Sequence, residues 1–313
     1  MVEGVLWSLR SACPIPPRLS PHADAVQEWL MDRLPRWGLP VDVDAVRRAG
    51  FARYAGRLYP DATEPDLRTL TALFTWFFLV DDACDGALGP AQLRALRSGT
   101  LSLLHEGPRR RHPGLDGPLR RLLVEAWRAP RRRMPARWRV RFADAVAHHL
   151  DGAWRESVAR RAGRVPGVAE YVELRRATSA AYVSYPLIEF ATGRPLPDPV
   201  YHHPLLRRLG DLGNDLLSWY NDLASLDRDR STSGGHNLVL AVAAERGVPV
   251  EAAVAVVAER WRESMARFVA LRATVPSFGP ALDESVATHL DGVANAVRGT
   301  VDWTLESARY PAG

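Results

Sequence analysis

Apolar positions recur at three- and four-residue spacing along nearly the whole chain, while β-branched alternation over a strand's length is almost absent. The pattern predicts helices over His22–Trp37, Asp44–Tyr54, Pro65–Asp82, Pro90–Leu104, Gly117–Trp127, Ala136–Arg160, Gly167–Thr192, Pro204–Asp229, Pro249–Ala273 and Gly279–Ser307. Several open with a proline or small residue in the first turn, as at Ser20-Pro21, Glu64-Pro65 and Gly89-Pro90. The intervening stretches are short and rich in Pro, Gly and Arg, and no internal repeat is visible. An all-α chain of one domain, residues 1–313, is the simplest organisation.

The third of these helices ends in TLTALFTWFFLVDDACDG. Leu70, Leu73, Phe74, Phe77, Phe78 and Val80 cover most of its circumference, which predicts a buried central helix. Asp81, Asp82 and Asp85 follow, with Asp81 and Asp85 one turn apart. Carboxylates at a helix C-terminus face the negative end of the helix dipole, so they need another source of compensation. A divalent cation supplies it: magnesium prefers carboxylate and water oxygens and is usually completed by substrate phosphates. Read without that cation, the same cluster is an exposed acidic turn.

The Pro204–Asp229 segment holds two overlapping Asn-Asp pairs. Asn214, Ser218 and Asp222 form one series at i, i+4, i+8, and Asn221, Ser225 and Asp229 form another. Either would line three oxygens along one helical face as a chelate for a hard cation. The second also carries Arg228 beside its acid, suited to a phosphate oxygen.

Composition narrows the alternatives. The net charge of +5 comes entirely from arginine, since the chain has no lysine. The runs Arg109–Arg111 and Arg131–Arg133 lack the interleaved aromatics or binding motif of a nucleic-acid surface, so no nucleic-acid partner is expected. Cys13 and Cys84 alone suggest neither a disulfide framework nor a zinc site. No stretch approaches the roughly 18 apolar residues of a membrane helix, and prolines 14, 16 and 17 interrupt the only candidate leader. A soluble, cytoplasmic protein without a membrane partner is expected.

Asp81-Asp82-Ala83-Cys84-Asp85 resembles the DDxxD motif of bacterial class I terpene synthases, and Asn221 to Asp229 resembles their NDxxSxx(R/K)E triad. Members of that family carry an arginine about 46 residues before the triad asparagine, commonly as Arg-Arg-x-Thr. Arg175-Arg176-Ala177-Thr178 precedes Asn221 by 46 positions and Asn214 by only 39, which favours the second frame. Arg309-Tyr310 resembles the family's C-terminal pair, with Trp303 six residues earlier. PIPPRLSPHAD and His236-Asn237-Leu238-Val239 are similar to family stretches, so the resemblance runs over nearly the whole chain. Asp229 stands where glutamate is usual, and Ser179-Ala180 where many relatives have a glycine near a helix break.

The resemblance implies a helical bundle around a central cavity, with residues 1–20 ordering on closure. It implies Asp81, Asp82, Asp85, Asn221, Ser225 and Asp229 as ligands of magnesium, conventionally three ions bound with the substrate diphosphate. Arg175, Arg228, Arg309 and Tyr310 would donate to that diphosphate. Phe77, Phe78, Thr178, Ser179 and Trp303 would form the hydrocarbon pocket. The expected activity is ionisation of an isoprenyl diphosphate, with farnesyl diphosphate first and geranylgeranyl diphosphate as the alternative, in a chain that pairs as a homodimer. A helical binding protein that has lost catalysis is the reading from a different class.

Overall fold

The computed structural model describes residues 2–86, 88–231 and 236–309, with the side chains of Asp85 and Ser231 outside the described set. Among the described residues every regular element is a helix: α1 (Val2–Ala12), α2 (Ala23–Trp37), α3 (Val43–Ala49), α4 (Phe51–Leu58), α5 (Glu64–Gly86), α6 (Pro90–Glu106), α7 (Gly117–Arg133), α8 (Ala136–Arg161), α9 (Val168–Thr178), α10 (Ala181–Thr192), α11 (Asp198–Tyr201), α12 (Pro204–Ala224), α13 (Leu226–Ser231), α14 (Leu238–Arg246), α15 (Val250–Arg272) and α16 (Pro280–Glu306). None is long and apolar enough to cross a membrane.

Three expected helices are each two. Asp44–Tyr54 is interrupted by Gly50, whose left-handed conformation (φ 67°) closes α3 and opens α4. Gly167–Thr192 is broken at Ser179-Ala180, and Ala180 is the one non-glycine residue with positive φ among those described (φ 60°). An alanine there stores strain, because its Cβ crowds the carbonyl that glycine would leave free. Pro204–Asp229 is divided at Ser225, but the bonds Ser225 N–H to Asn221 O (2.8 Å) and Asp229 N–H to Ser225 O (2.9 Å) keep the four-residue spacing across the joint. The periodicity also passed over α1, α11 and α14, which are short or apolar on most sides.

The helices surround a cavity. α5 enters its wall with Phe74, Phe77 and Phe78, α4 adds Tyr54 and Leu58, and α16 adds Thr300 and Trp303. Behind α5, away from the cavity, Trp127, Trp138 and Phe142 stack face to face between α7 and α8 with centroids 5.1–6.0 Å apart. Trp138 donates its Nε1–H to Pro186 O at 2.7 Å and so ties this stack to α10. Gly152 allows the closest approach of α8 to α9: a Cβ there would lie 2.7 Å from that of Ala177.

Within the N-terminal segment, α1 packs against α12 and α15. Leu6 and Leu9 of α1 are buried, and Tyr220 donates to Leu6 O at 3.1 Å. Asp302, 1% exposed, gathers Arg10 (2.8 Å), Arg298 (3.0 Å) and Arg57 (3.4 Å), and Arg298 also donates to Ile15 O at 3.1 Å. One buried carboxylate thus fastens the N-terminal segment to α4 and α16. Removing it strands the buried Arg298 guanidinium, while Arg57 keeps Glu306 and Arg10 is partly exposed, and breaking such a buried pair costs about 3–5 kcal/mol. Asp302→Ala is expected to lower the melting temperature by several degrees and to expose Arg10 and Arg18 to trypsin. Limited proteolysis read by mass spectrometry checks this; unchanged N-terminal cleavage would contradict it.

Candidate active site

Arg175 organises the junction of α9 and α12. Its Nε donates to Asp222 Oδ1 and a terminal nitrogen donates to Asn221 Oδ1, both at 2.8 Å. Tyr171, one turn earlier on α9, donates its hydroxyl to Asp222 Oδ2 at 2.8 Å, and Leu238 N–H reaches the same oxygen at 3.2 Å. Asp222 is 2% exposed. Burial alone would weaken the charge on Arg175, but Asp222 and Tyr171 outweigh it and hold the guanidinium charged beyond its ordinary range.

Asp222, the third member of the Asn214 series, belongs to this cluster, whereas Asn214 and Ser218 line neither of the two spaces that meet here. Fully buried Asn214 donates to Arg176 O (2.9 Å) and accepts from Ser179 (2.7 Å) and Ser218 (2.9 Å). Asp215 holds Arg176 through two 2.7 Å bonds. These residues lock the Ser179-Ala180 break against α12. Ser179 further steadies it by accepting from Ala181 N–H at 3.2 Å.

Two spaces meet at this junction. The inner cavity, about 970 Å³ including its open mouth, is lined mainly by Tyr54, Leu58, Phe74, Phe77, Phe78, Leu187, Leu217 and Trp303. The outer basin, about 1890 Å³, is lined by Asp81, Asp82, Glu156, Arg160, Asn221, Ser225, Arg228, Asp229 and their neighbours. Asp81, Arg175, Thr178, Asn221 and Arg228 line both. An apolar chamber therefore opens directly into a charged one.

Of the residues singled out in the sequence, Asp81 and Asp82 lie on one wall of the basin and Asn221, Ser225 and Asp229 on another. Ser225 Oγ donates to Asp229 Oδ2 at 2.7 Å, and Asn237 Nδ2 donates to the same oxygen at 2.9 Å, so the shorter acid is already oriented. Arg228 lines both spaces while its Nε lies 3.3 Å from Asp229 Oδ1. Arg309 pairs with Asp82, one terminal nitrogen at 3.2 Å, and its guanidinium lies 5.1 Å from the Phe78 ring centroid. Phe77, Phe78, Thr178, Ser179 and Trp303 all line the inner cavity. Trp76, equally aromatic, is fully buried away from it. The Asp85 side chain and Tyr310 lie outside the described residues.

Sequence reasoning missed Tyr54, Thr300 and His149 on the inner wall and Glu156, Arg160 and His236 around the basin. Tyr54 stacks on Trp303 with centroids 4.3 Å apart and bonds Thr300 Oγ1 at 3.0 Å. Because Thr300 gives its own proton to Ala296 O at 2.8 Å, Tyr54 is the donor. Tyr54 and Thr300 carry no motif, Glu156 and Arg160 lie one turn apart on α8 without one, and the resemblance of the His236–Val239 stretch gave His236 no role. Only the depth of each helix face could have pointed to them.

The oxygen donors on the basin walls fit a hard divalent cation: carboxylates at Asp81, Asp82 and Asp229, an amide oxygen at Asn221 and a hydroxyl at Ser225.

The model of terpene synthase family 2, C-terminal metal binding, matches residues 72–267. The match spans the acidic cluster, Arg175 and the Asn221 series. The chain belongs to the terpene synthase family. A 10-epi-cubebol synthase of Sorangium cellulosum is 30% identical over 313 residues, covering 95% of this chain and 96% of its own. The (+)-T-muurolol synthase of Roseiflexus castenholzii, named as cyclising (2E,6E)-farnesyl diphosphate, is 29% identical over 97% of this chain and 94% of its own. A solved cucumene synthase variant superimposes with a TM-score of 0.84 at 28% identity, over 95% of this chain and 99% of its own. The fold is that of a class I terpene synthase, and as a terpene synthase the chain is a lyase acting on a diphosphate ester.

In this synthase the Arg175–Asp222 pair supports Asn221 as well as the α9–α12 contact. Asp222→Ala is expected to destabilise the fold by about 3–5 kcal/mol, because it strands a largely buried guanidinium. Urea denaturation followed by circular dichroism checks this; a loss below about 1 kcal/mol would show that the pair does not hold the junction.

Proposed function

We propose that this synthase ionises farnesyl diphosphate with Mg²⁺, releasing diphosphate and closing the farnesyl cation into a sesquiterpene. The observation that carries the reading is the continuity of the aromatic chamber with the oxygen-lined basin through five shared residues. A ligand with an apolar tail and an anionic head fits that shape end to end. The farnesyl length rests on the Roseiflexus relative's named substrate.

Asp81 and Asp82 on one side, and Asn221, Ser225 and Asp229 on the other, would hold the magnesium ions, three by analogy with the family, with Asp85 proposed as a further ligand from the sequence motif alone. Bound there, magnesium supplies Lewis-acid stabilisation of charge on the leaving diphosphate. The protein's own contribution begins with the arginines. Arg175 and Arg228 stand where the two spaces meet and donate to the diphosphate oxygens as negative charge accumulates on them. Arg309 lies at the same mouth, held between Asp82 and Phe78, and Tyr310 follows it in sequence. Arg309 is placed to exchange Asp82 for the substrate.

The allyl cation left behind faces Phe74, Phe77, Phe78, Tyr54 and Trp303. Their ring faces exclude water and stabilise positive charge electrostatically. Tyr54 is fixed by its stack and by its bond to Thr300, so the wall it presents is rigid.

With Mg²⁺ and farnesyl diphosphate the purified protein is expected to release inorganic diphosphate and a C15 terpene detectable by gas chromatography. Asp81→Ala and Asn221→Ala should each lower that release by about a hundredfold or more. Asn214→Ala should keep most activity and instead lower thermal stability, since its partners belong to the helix break. No diphosphate release from geranyl, farnesyl or geranylgeranyl diphosphate would overturn the reading, and equal catalytic loss at Asn214 and Asn221 would overturn the site.

A further inference from the structure

Termination of the carbocation needs a base, and the inner wall carries one neutral candidate. His149 of α8 is 3% exposed and lines the chamber beside Phe77, whose ring meets the imidazole edge-on with centroids 5.7 Å apart. Its Nδ1 lies 3.3 Å from Ala177 O. A carbonyl only accepts, so Nδ1 carries the proton and Nε2 keeps its lone pair. Gly152, one turn further along α8, brings the helix close enough to α9 for this contact. Burial pushes the imidazole down to about 4, against the opposing pull of the Ala177 carbonyl, so the ring is neutral at physiological pH.

The other ionisable groups on the wall are unsuited to the task. Among the described residues, Arg175, Arg228 and Arg309 are cations, the Tyr54 phenol donates to Thr300, and Asp81, which lines both spaces, is committed to the proposed metal wall at the mouth. We infer that His149 Nε2 is the terminating base of the reaction proposed above, accepting a proton from a carbon adjacent to the final cationic centre. The C–H bond breaks, its electron pair becomes the C=C bond of the olefin, and the proton joins the Nε2 lone pair as imidazolium. Burial disfavours that imidazolium, and the proton passes on to the released diphosphate, the stronger base at the mouth of the chamber. The inference rests on the proposed function, and diphosphate release and product identity are read separately so that the two can fail separately.

His149→Asn keeps an N–H donor for Ala177 O and removes the basic nitrogen. It is expected still to release diphosphate, while the parent's main olefin falls at least tenfold as a share of total products in favour of other olefins or alcohols. His149→Ala supplies the second arm. Added imidazole is expected to restore at least half of the main olefin, whereas pyrrole, of the same size but without a basic nitrogen, restores none. An unchanged product profile in His149→Asn would assign the base elsewhere, to the diphosphate itself in the first instance. Equal rescue by pyrrole and imidazole would reduce His149 to a shape-determining residue. A parent enzyme whose only product is an alcohol would also overturn the inference. Absence of diphosphate release from the parent would instead reject the proposed function.

Discussion

The buried ion pair of Arg175 with Asp222 is the interaction on which the rest of the site depends. It joins α9 to α12 through a carboxylate that water scarcely reaches, with Tyr171 and Leu238 N–H satisfying the remaining carboxylate oxygen. The same guanidinium holds the Asn221 side-chain oxygen at 2.8 Å. Through that pair of contacts the wall carrying Asn221, Ser225 and Asp229 is fixed relative to the helix break at Ser179-Ala180. The break in turn forms part of the inner chamber. Ionic order at the mouth and apolar shape inside are thus set by one cluster.

A buried charge pair is seldom retained for stability alone, since desolvation of both partners offsets much of their attraction. Here its value lies in position. Arg175 lines both spaces, so a substrate diphosphate arriving in the basin would meet a guanidinium whose other contacts already reach α12. The second fastening, of Asp302 to Arg10, Arg57 and Arg298, joins α1, α4 and α16 by the same principle. A single carboxylate draws chain segments nearly 300 residues apart into register.

Much of this was legible in the sequence, for reasons that can be named. The three-and-four spacing of apolar residues marks helices because one face of each is buried, and it located the long ones, though it ended α7 at Trp127 where the helix continues through Pro130 to Arg133. It failed at Gly50, Ala180 and Ser225, where the chain bends without losing its periodicity. Ala180 is the instructive case: the left-handed conformation is imposed by Ser179, Asn214 and Arg176 packing around it, and alanine itself carries no signal of it. The acidic cluster, the Asn221 series and Arg175 were legible because clustered acids and fixed intervals are local patterns. Their separation onto two walls of one basin was not local, and required the fold. His149, Tyr54 and Thr300 reach the chamber from three different helices, and nothing in the spacing around them distinguishes them from ordinary core residues.

The central claim is that the basin is built to bind diphosphate together with magnesium, whatever the hydrocarbon attached to it. Isothermal titration of the protein with inorganic diphosphate tests this without depending on turnover. The account predicts saturable binding in the presence of Mg²⁺ that disappears with chelator and is strongly weakened in Asn221→Ala. Diphosphate binding of equal strength with and without magnesium, or unaffected by the Asn221 substitution, would contradict it.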